Sequence, residues 1–336
     1  GNFAGESGRE VGLNVLRADG PEPPAEKRER IRSLLLDARE HRPRPELDDK
    51  RLTSWNALAI AAFADAGAVL EEPRYLDAAR ASAEFVLREL WVPRADAGRR
   101  LLRTYSHGRA SLDGYLEDHA FLLEALLALY EATFEERWFT AALALEEELI
   151  ERFRDPERGG FFSTANDHEA LIARRKDLED SPIPAGGSSA ALGLLRLAAL
   201  TGEHDYERHA LGVLRLLHEI APRHPAAFGH LLQAIDFYVS PSREVAIVGP
   251  DGDQRQELER VVRQRPRPRM VLAAGPGEAD PGNAATDLAP DPHTVVPLLA
   301  GRASVDGRPA AYVCERFACR LPVTEPTELQ ALLGPL

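Results

Sequence analysis

From Ala25 to about Arg223 apolar residues recur at three- and four-residue spacing, the period that lays one stripe along an α-helix. The spacing predicts helices over Lys27–His41, Thr53–Leu70, Arg74–Leu90, Tyr115–Thr133, Glu136–Phe153, Ser188–Leu200 and Tyr206–Ile220, with one more near Ala226–Tyr238. The breaks Glu71-Glu72-Pro73, Phe134-Glu135 and Thr201-Gly202-Glu203 are so short that they force antiparallel neighbours. The pairs recur roughly every 60–70 residues, from Trp55 to Asp118 to Ser188, a period of the helical-array kind. The first helix of each pair is the more apolar: Leu58–Ala64 and Phe121–Leu129 are apolar nearly all round, whereas Tyr75–Leu90 and Glu136–Phe153 carry a charged face. Inner helices walled on both sides and outer helices wet on one side make a mainly α fold, an (α/α)6-toroid-like array of antiparallel helix hairpins. With about four hairpins the array is incomplete, and an apolar flank that promotes association is expected.

Two segments depart from this period. Gly159-Gly160-Phe161-Phe162-Ser163-Thr164 followed by Leu171-Ile172-Ala173-Arg174 predicts a β-hairpin on one rim, near 159–175. Beyond Ser240-Pro241-Ser242, Glu244–Val248 and Arg269–Ala273 read as strands with a helix, Gln254–Gln264, between them. Val295–Leu299 and Ala310–Cys314 are further strand candidates, Glu328–Leu333 is a last short helix, and Gly275–Pro292 is a surface loop. Strand, helix, strand implies a small α/β unit with a parallel pair, dividing the chain into a helical part, 1–239, and a C-terminal unit, 240–336. The Gly249-Pro250-Asp251-Gly252-Asp253 turn lacks the glycine offsets of a dinucleotide site.

Composition narrows the function. At 336 residues with 44% hydrophobic positions the chain can fill a core, and a formal charge of −13 argues against nucleic acid as a partner. No apolar run approaches the roughly 20 residues of a membrane span, and the N-terminus has no apolar signal core, so a cytoplasmic protein is expected. Cys314 and Cys319 are the only cysteines and are expected as two reduced thiols. No cluster has metal-ligand spacing and no Gly-x-Ser-x-Gly is present, so neither a metal nor a cofactor is expected. The abrupt start at Gly1-Asn2-Phe3 reads as a fragment of a longer protein.

The unusual polar residues open the inner helices. Asp48-Asp49-Lys50-Arg51-Leu52-Thr53-Ser54-Trp55-Asn56 precedes the first, Glu117-Asp118-His119 opens the second and Asp180–Ser188 opens the third. His224-Pro225 and Phe228-Gly229-His230 open the next. First helices of an up-down array point the same way, so these N-termini converge on one rim, where unpaired N–H groups suit polar ligands. Asp49, Glu117, Asp118 and His119 are the candidates for moving protons. Lys50, Trp55, Asn56, Asp180, Gly187, Ser188 and His230 are the candidates for holding substrate, with Trp55 stacking on a sugar face. Each cluster has a plainer reading: Asp118 and His119 as satisfied core polar groups, Gly186-Gly187 as a close-packing helix start.

Asp48-Asp49-Lys50, Leu52–Leu58, Leu116–Leu122 and Leu129-Tyr130-Glu131-Ala132-Thr133 resemble the thioredoxin-domain proteins related to spermatogenesis-associated protein. Gly159–Thr164, Leu171–Arg174, Pro184–Ser188 and the tail Ala311–Thr324 fall in that family's order. The resemblance implies a thioredoxin-like domain ahead of a six-hairpin toroid, similar to N-acylglucosamine 2-epimerases and six-hairpin glycosidases. It also marks departures, because His119 stands where the family usually has Tyr, and Ala185 and Gly187 where it usually has Ser and Asn. Two functions follow: a toroid that binds a carbohydrate-like small molecule with epimerase-like or glycosidase-like acid–base chemistry, or a non-catalytic scaffold for the absent thioredoxin-like domain or another protein. An acid–base pair across the bowl would favour the first; Asp49, Asp118 and Asp180 spent on caps or arginines would favour the second.

Overall fold

The computed structural model describes residues 20–94, 98–169, 172–180, 182–277 and 295–334. Gly1–Phe3, Leu171, Ser181 and most of the Gly275–Pro292 segment lie outside the described residues. The chain forms two compact units, Gly1–Asp49 and Lys50–Leu336. In the first, the helix α1 (Ala25–Glu40) buries none of its residues.

The second unit holds the hairpin array. Its helices are α2 (Thr53–Val69), α3 (Pro73–Phe85, extended by a π-helical turn Val86–Leu90), α4 (Leu116–Thr133), α5 (Glu136–Phe153), α6 (Gly186–Thr201), α7 (His204–Leu217) and α8 (Gly229–Val239). α2, α4, α6 and α8 pack side by side in that order, while α3, α5 and α7 each pack on the helix before them. The inner layer is apolar as expected: α4 buries fourteen of its eighteen residues, and α6 is buried along most of its length. α5 turns Trp138, Phe139, Ala142, Leu145, Leu149 and Phe153 inward, a stripe at helical spacing. At the end of the layer α2 and its cap Leu70 leave Trp55, Phe63, Val69 and Leu70 exposed.

Two hairpin turns close with the same device. Thr133 and Thr201 bond back through Oγ1 to the carbonyls of Leu129 and Leu197, and then accept the N–H groups of Glu135 and Glu203. The residue between, Phe134 or Gly202, takes a left-handed conformation and ends the helix.

An antiparallel sheet lies between α3 and α4, where the sequence shows no clear period. β3 (Arg99–Ser106) pairs with β1 (Arg51–Leu52), with β2 (Trp91–Pro93) and, through the His107-Gly108 turn, with β4 (Arg109–Asp113). The rim hairpin expected near 159–175 is not formed among the described residues. Phe161 makes one isolated bridge to Arg154, and Ser163 donates to the carbonyl of Arg175. Gly159 and Gly160 explain this: both have positive φ and seat the chain tightly on Gly212 and Leu216 of α7, bending it out of a ladder.

The C-terminal segment forms a mixed sheet of order β6-β5-β7-β8, with β5 (Arg243–Val248) parallel to β6 (Met270–Gly275) and antiparallel to β7 (Ala310–Glu315), which pairs with β8 (Ala318–Cys319). Val245 and Ile247 face a small core with α9 (Asp253–Arg263) and α10 (Pro326–Leu333); Ala246 and Val248 face the main core. Both faces being covered explains the unbroken apolar run. Val295–Leu299 is not a strand: Pro297 cannot donate to a ladder and starts a 3₁₀ turn, Pro297–Leu299. Cys314 and Cys319 are not free thiols but a disulfide, since they are register partners across the β7–β8 turn. No helix among the described residues is long and apolar enough to cross a membrane.

Gly186 and Gly187 separate two roles. A Cβ on Gly186 would lie 2.9 Å from the backbone N of Glu117, whereas one on Gly187 would meet nothing closer than 3.9 Å. Gly186→Ala is therefore expected to destabilise the protein by about 1–3 kcal/mol. Gly187→Ala should be neutral or stabilise it by up to about 1 kcal/mol through the unfolded chain. Denaturant melts of the two variants check this, and equal effects would refute the assigned contact.

Candidate functional site

The rim clusters are built mainly as fastenings. Asp118 is fully buried; its Oδ1 accepts the N–H of Ser54 at 3.0 Å, and its Oδ2 accepts the N–H of Tyr115 at 2.9 Å and Arg103 Nη1 at 2.9 Å. One carboxylate thus satisfies orphan donors at the starts of both α2 and α4 and ties them to β3. Asp180 does the same at α8, accepting the N–H groups of Ala185 at 2.8 Å, His230 at 2.8 Å and Leu231 at 3.1 Å. His119 is sealed in the core, its Nδ1 on the carbonyl of Tyr115 and its ring 4.8 Å from that of Phe153. Its Nε2 lies 3.3 Å from Glu148 Oε1, outside good hydrogen-bond geometry.

The remaining rim candidates disperse. Asp49 closes the first unit and Lys50 opens the second, both exposed. Trp55 is 62% exposed on the flank of α2, and Asn56 donates to the carbonyl of Leu52. Gly187 and Ser188 are buried in α6. Trp55, Asn56, Asp118, His119 and Ser188 therefore do not line one concavity, because helix starts packed this tightly turn their polar groups onto one another. Only Glu117 reaches a rim cavity, of about 490 Å³, where it pairs with Arg103 at 2.7 Å.

The larger cavity, about 650 Å³, lies on the inner helices. Two polar rungs cross it. Glu124 of α4 accepts the hydroxyl of Ser189 on α6 and lies 2.9 Å from His230 Nε2 on α8; Glu131, two turns further along α4, pairs at 2.9 Å with Arg196, two turns further along α6. Asp65 of α2 and Gln233 of α8 complete the polar lining, and Arg263, Arg267, Met270 and Leu272 of the α/β segment close one side. Three carboxylates thus face Arg196 and His230 across the inner helices, with Arg263, Arg265 and Arg267 on the wall beyond. Asp65 is exposed at the edge of the cavity, and the surrounding atoms still desolvate its carboxyl enough to raise its pKa against the pull of Arg196. Burial likewise raises Glu131, while Glu131, Glu124 and Asp65 keep Arg196 charged. Burial disfavours charge on His230, but Glu124, with Asp180 behind it, overrides this and raises its pKa.

Of the predicted residues, then, His230 alone enters this cavity. Asp65, Glu124, Glu131 and Arg196 are additions, and the buried Ser189 holds Glu124 from behind. Their signal was available: Glu124 and Glu131 are single polar positions seven apart in an apolar helix, and Ser189 and Arg196 repeat that spacing. Among the described residues no group of His, Cys, Asp or Glu has the arrangement to hold a metal ion.

Two layers of sequential antiparallel hairpins around a polar interior define a protein of the α/α-toroid type. Over nine-tenths of its length the chain is similar in sequence to spermatogenesis-associated protein 20. It is 33% identical to the Homo sapiens protein over 311 residues, which cover 90% of this chain and 38% of that one. The Rattus norvegicus protein is 32% identical over 308 residues, 89% of this chain and 38% of that one. The chain spans about two-fifths of the length of these relatives. Among solved structures, cellobiose 2-epimerase from Spirochaeta thermophila matches with a TM-score of 0.44 and 19% identity, covering 60% of this chain and 57% of that one. No protein-family profile matches the chain.

Two titrations test these electrostatics. The His230 imidazole should titrate above 6.5, so its pairing stabilises the fold below that pH and is lost as pH rises through the raised value. In Glu124→Gln burial prevails and the midpoint, followed by the imidazole proton resonance, should fall below that of the parent; an unmoved midpoint would break the assignment. Glu148 titrates the other way. Burial would raise it, but contacts from His119, Trp91 and Arg152 lower it from 4.5 to about 2. Its contribution is complete above 4.5 and should disappear as pH falls toward 2, on the order of 3 kcal/mol. Thermal melts of Glu148→Gln should lack that acid limb.

Proposed function

We propose that the interior cavity binds a polar, polyhydroxylated small molecule of the carbohydrate class, and that Glu124 and His230 move the proton in an epimerase-like or glycosidase-like reaction. The observation that supports this is the pair of rungs: four inner helices deliver Asp65, Glu124, Glu131, Arg196 and His230 to one concavity. Charge this enclosed costs stability unless it is matched by function or by well-made pairs, and the side chains of Glu124, Glu131, Arg196 and His230 are all more than four-fifths covered. A sugar hydroxyl could enter between Glu124 and His230, donating to the carboxylate and accepting from the ring. With its raised pKa, His230 carries the proton as acid and Glu124 receives one as base. Arg196, flanked by Asp65 and Glu131, would fix the other end of the ligand.

A second reading is favoured by one specific fact: Asp118 and Asp180 are committed to caps, as a non-catalytic scaffold requires. In that reading the exposed stripe Trp55, Phe63, Val69 and Leu70 receives a thioredoxin-like domain of the same protein or another partner.

Ligand-observed NMR and calorimetry with a panel of mono- and disaccharides separate the two. The cavity reading expects at least one saccharide to bind, with Glu124→Gln and His230→Ala each weakening it about tenfold or more, the range for losing a charged hydrogen bond. If no saccharide binds at millimolar concentration, or the two variants bind like the parent, the cavity reading fails.

A further inference from the structure

The hairpin β7–β8 carries chemistry that the cavity does not use. Cys314 is buried in β7 and Cys319 is exposed in β8; the two are register partners with Cα atoms 3.9 Å apart, joined as a disulfide. The turn between them has positive φ at both Arg316 and Phe317, a conformation that two-residue hairpins usually give to Asn or Gly. It is held from outside: the buried carboxylate of Glu244 on β5 accepts the N–H of Arg316 at 3.0 Å and of Phe317 at 2.8 Å.

Arg302 lies against both sulfurs. Its Nη2 is 3.0 Å from Cys319 Sγ and 3.5 Å from Cys314 Sγ, and its Nη1 donates to the carbonyls of Leu298 and Ala300. The residue is 7% exposed, its Nε has no partner, and it forms no ion pair with a carboxylate among the described residues. Glu244, whose charge reaches it, is already engaged with the turn amides. A buried guanidinium without a contacting anion is costly, and a neutral disulfide is a poor acceptor for it. Reduction changes that balance, because a thiolate supplies the missing negative charge at the same atoms.

We propose that Cys314–Cys319 is a thiol–disulfide exchange site for a dithiol reductant, entered at Cys319, with Arg302 holding the buried Cys314 as the departing thiolate. A thiolate of the reductant forms a bond to Sγ of Cys319, the exposed residue of the pair, and the Cys314–Cys319 bond breaks with its electron pair leaving on Cys314. The second thiol of the reductant, once deprotonated, attacks the reductant's own sulfur in the mixed disulfide and expels Cys319. The reductant ends as a disulfide, oxidised by two electrons, and the protein pair is reduced by the same two. Of the two protons the reductant releases, one is taken up by Cys319 and the other passes to solvent while Cys314 remains a thiolate beside Arg302.

Dithiothreitol is the probe, with acid quenching, alkylation of free thiols and mass measurement. The protein should pass reversibly between oxidised and reduced forms while its aromatic near-ultraviolet circular dichroism stays that of the folded chain. With 2-mercaptoethanol, which cannot complete the second step, peptide mapping should find the trapped adduct on Cys319. Arg302→Met should slow reduction by about tenfold or more through the weaker leaving group, and Arg302→Lys should recover part of that rate. In Cys319→Ser the thiolate absorbance of Cys314 should titrate below the usual cysteine value of about 8.5. A pair that resists excess dithiothreitol while folded, an adduct on Cys314, or equal rates in the parent and Arg302→Met would each overturn the proposal. Should Arg302→Met fail to fold, adduct mapping and the reduction of the parent protein still decide it.

Discussion

The buried carboxylate of Asp118 is the constraint on which the array depends. It takes a backbone N–H from the start of α2, another from the start of α4 and the guanidinium of Arg103 on β3. Each is a donor that burial would otherwise leave unmatched, and an unmatched buried donor costs about 1–3 kcal/mol. With its three partners fixed, α2 and α4 cannot slide along each other, since a shift of one residue would move every donor off the carboxylate. Glu124 and Glu131 then meet Ser189 and Arg196 at the same relative height on the next interface. The rim sets the register, and the interior charges inherit it.

This division of labour explains how much could be read from the chain. The eight helices stand out because their 3.6-residue period is strong, and their turns stand out because Thr133-Phe134-Glu135 and Thr201-Gly202-Glu203 break it in the same way. Clustering of polar residues at the inner helix starts was also legible. Their chemistry was not: a carboxylate about to cap two helices and one about to move a proton have the same sequence context, and only the partners of Asp118 and Asp180 separate them. Conversely Glu124 looks like a lone interruption of Phe121–Leu129, and its importance appears only when the packing brings Ser189 and His230 across from it.

The short sheet β1–β4 was hidden for another reason. Arg99-Arg100-Leu101-Leu102-Arg103-Thr104-Tyr105-Ser106 does not alternate cleanly, because both faces are partly covered and three arginines are held by partners: Arg99 by the carbonyls of Leu87 and Trp91, Arg100 by Asp113 and Asp167, Arg103 by Glu117 and Asp118. Tertiary pairing, not local propensity, makes that strand. The cysteines show the same limit, since a five-residue separation becomes a bond only once a two-residue turn sets Cys314 opposite Cys319.

β5 has one further consequence. Alternate side chains of this single strand belong to two different apolar layers, Ala246 and Val248 to the helical core and Val245 and Ile247 to the core with α9 and α10. It also carries ladder bonds on both edges, to β6 and β7. Peeling the C-terminal segment away would strip both layers and both ladders at once, so β5 works as a mechanical coupler between the segments. The hairpin array and the α/β sheet, although drawn from separate stretches of chain, are bound to melt as one cooperative body.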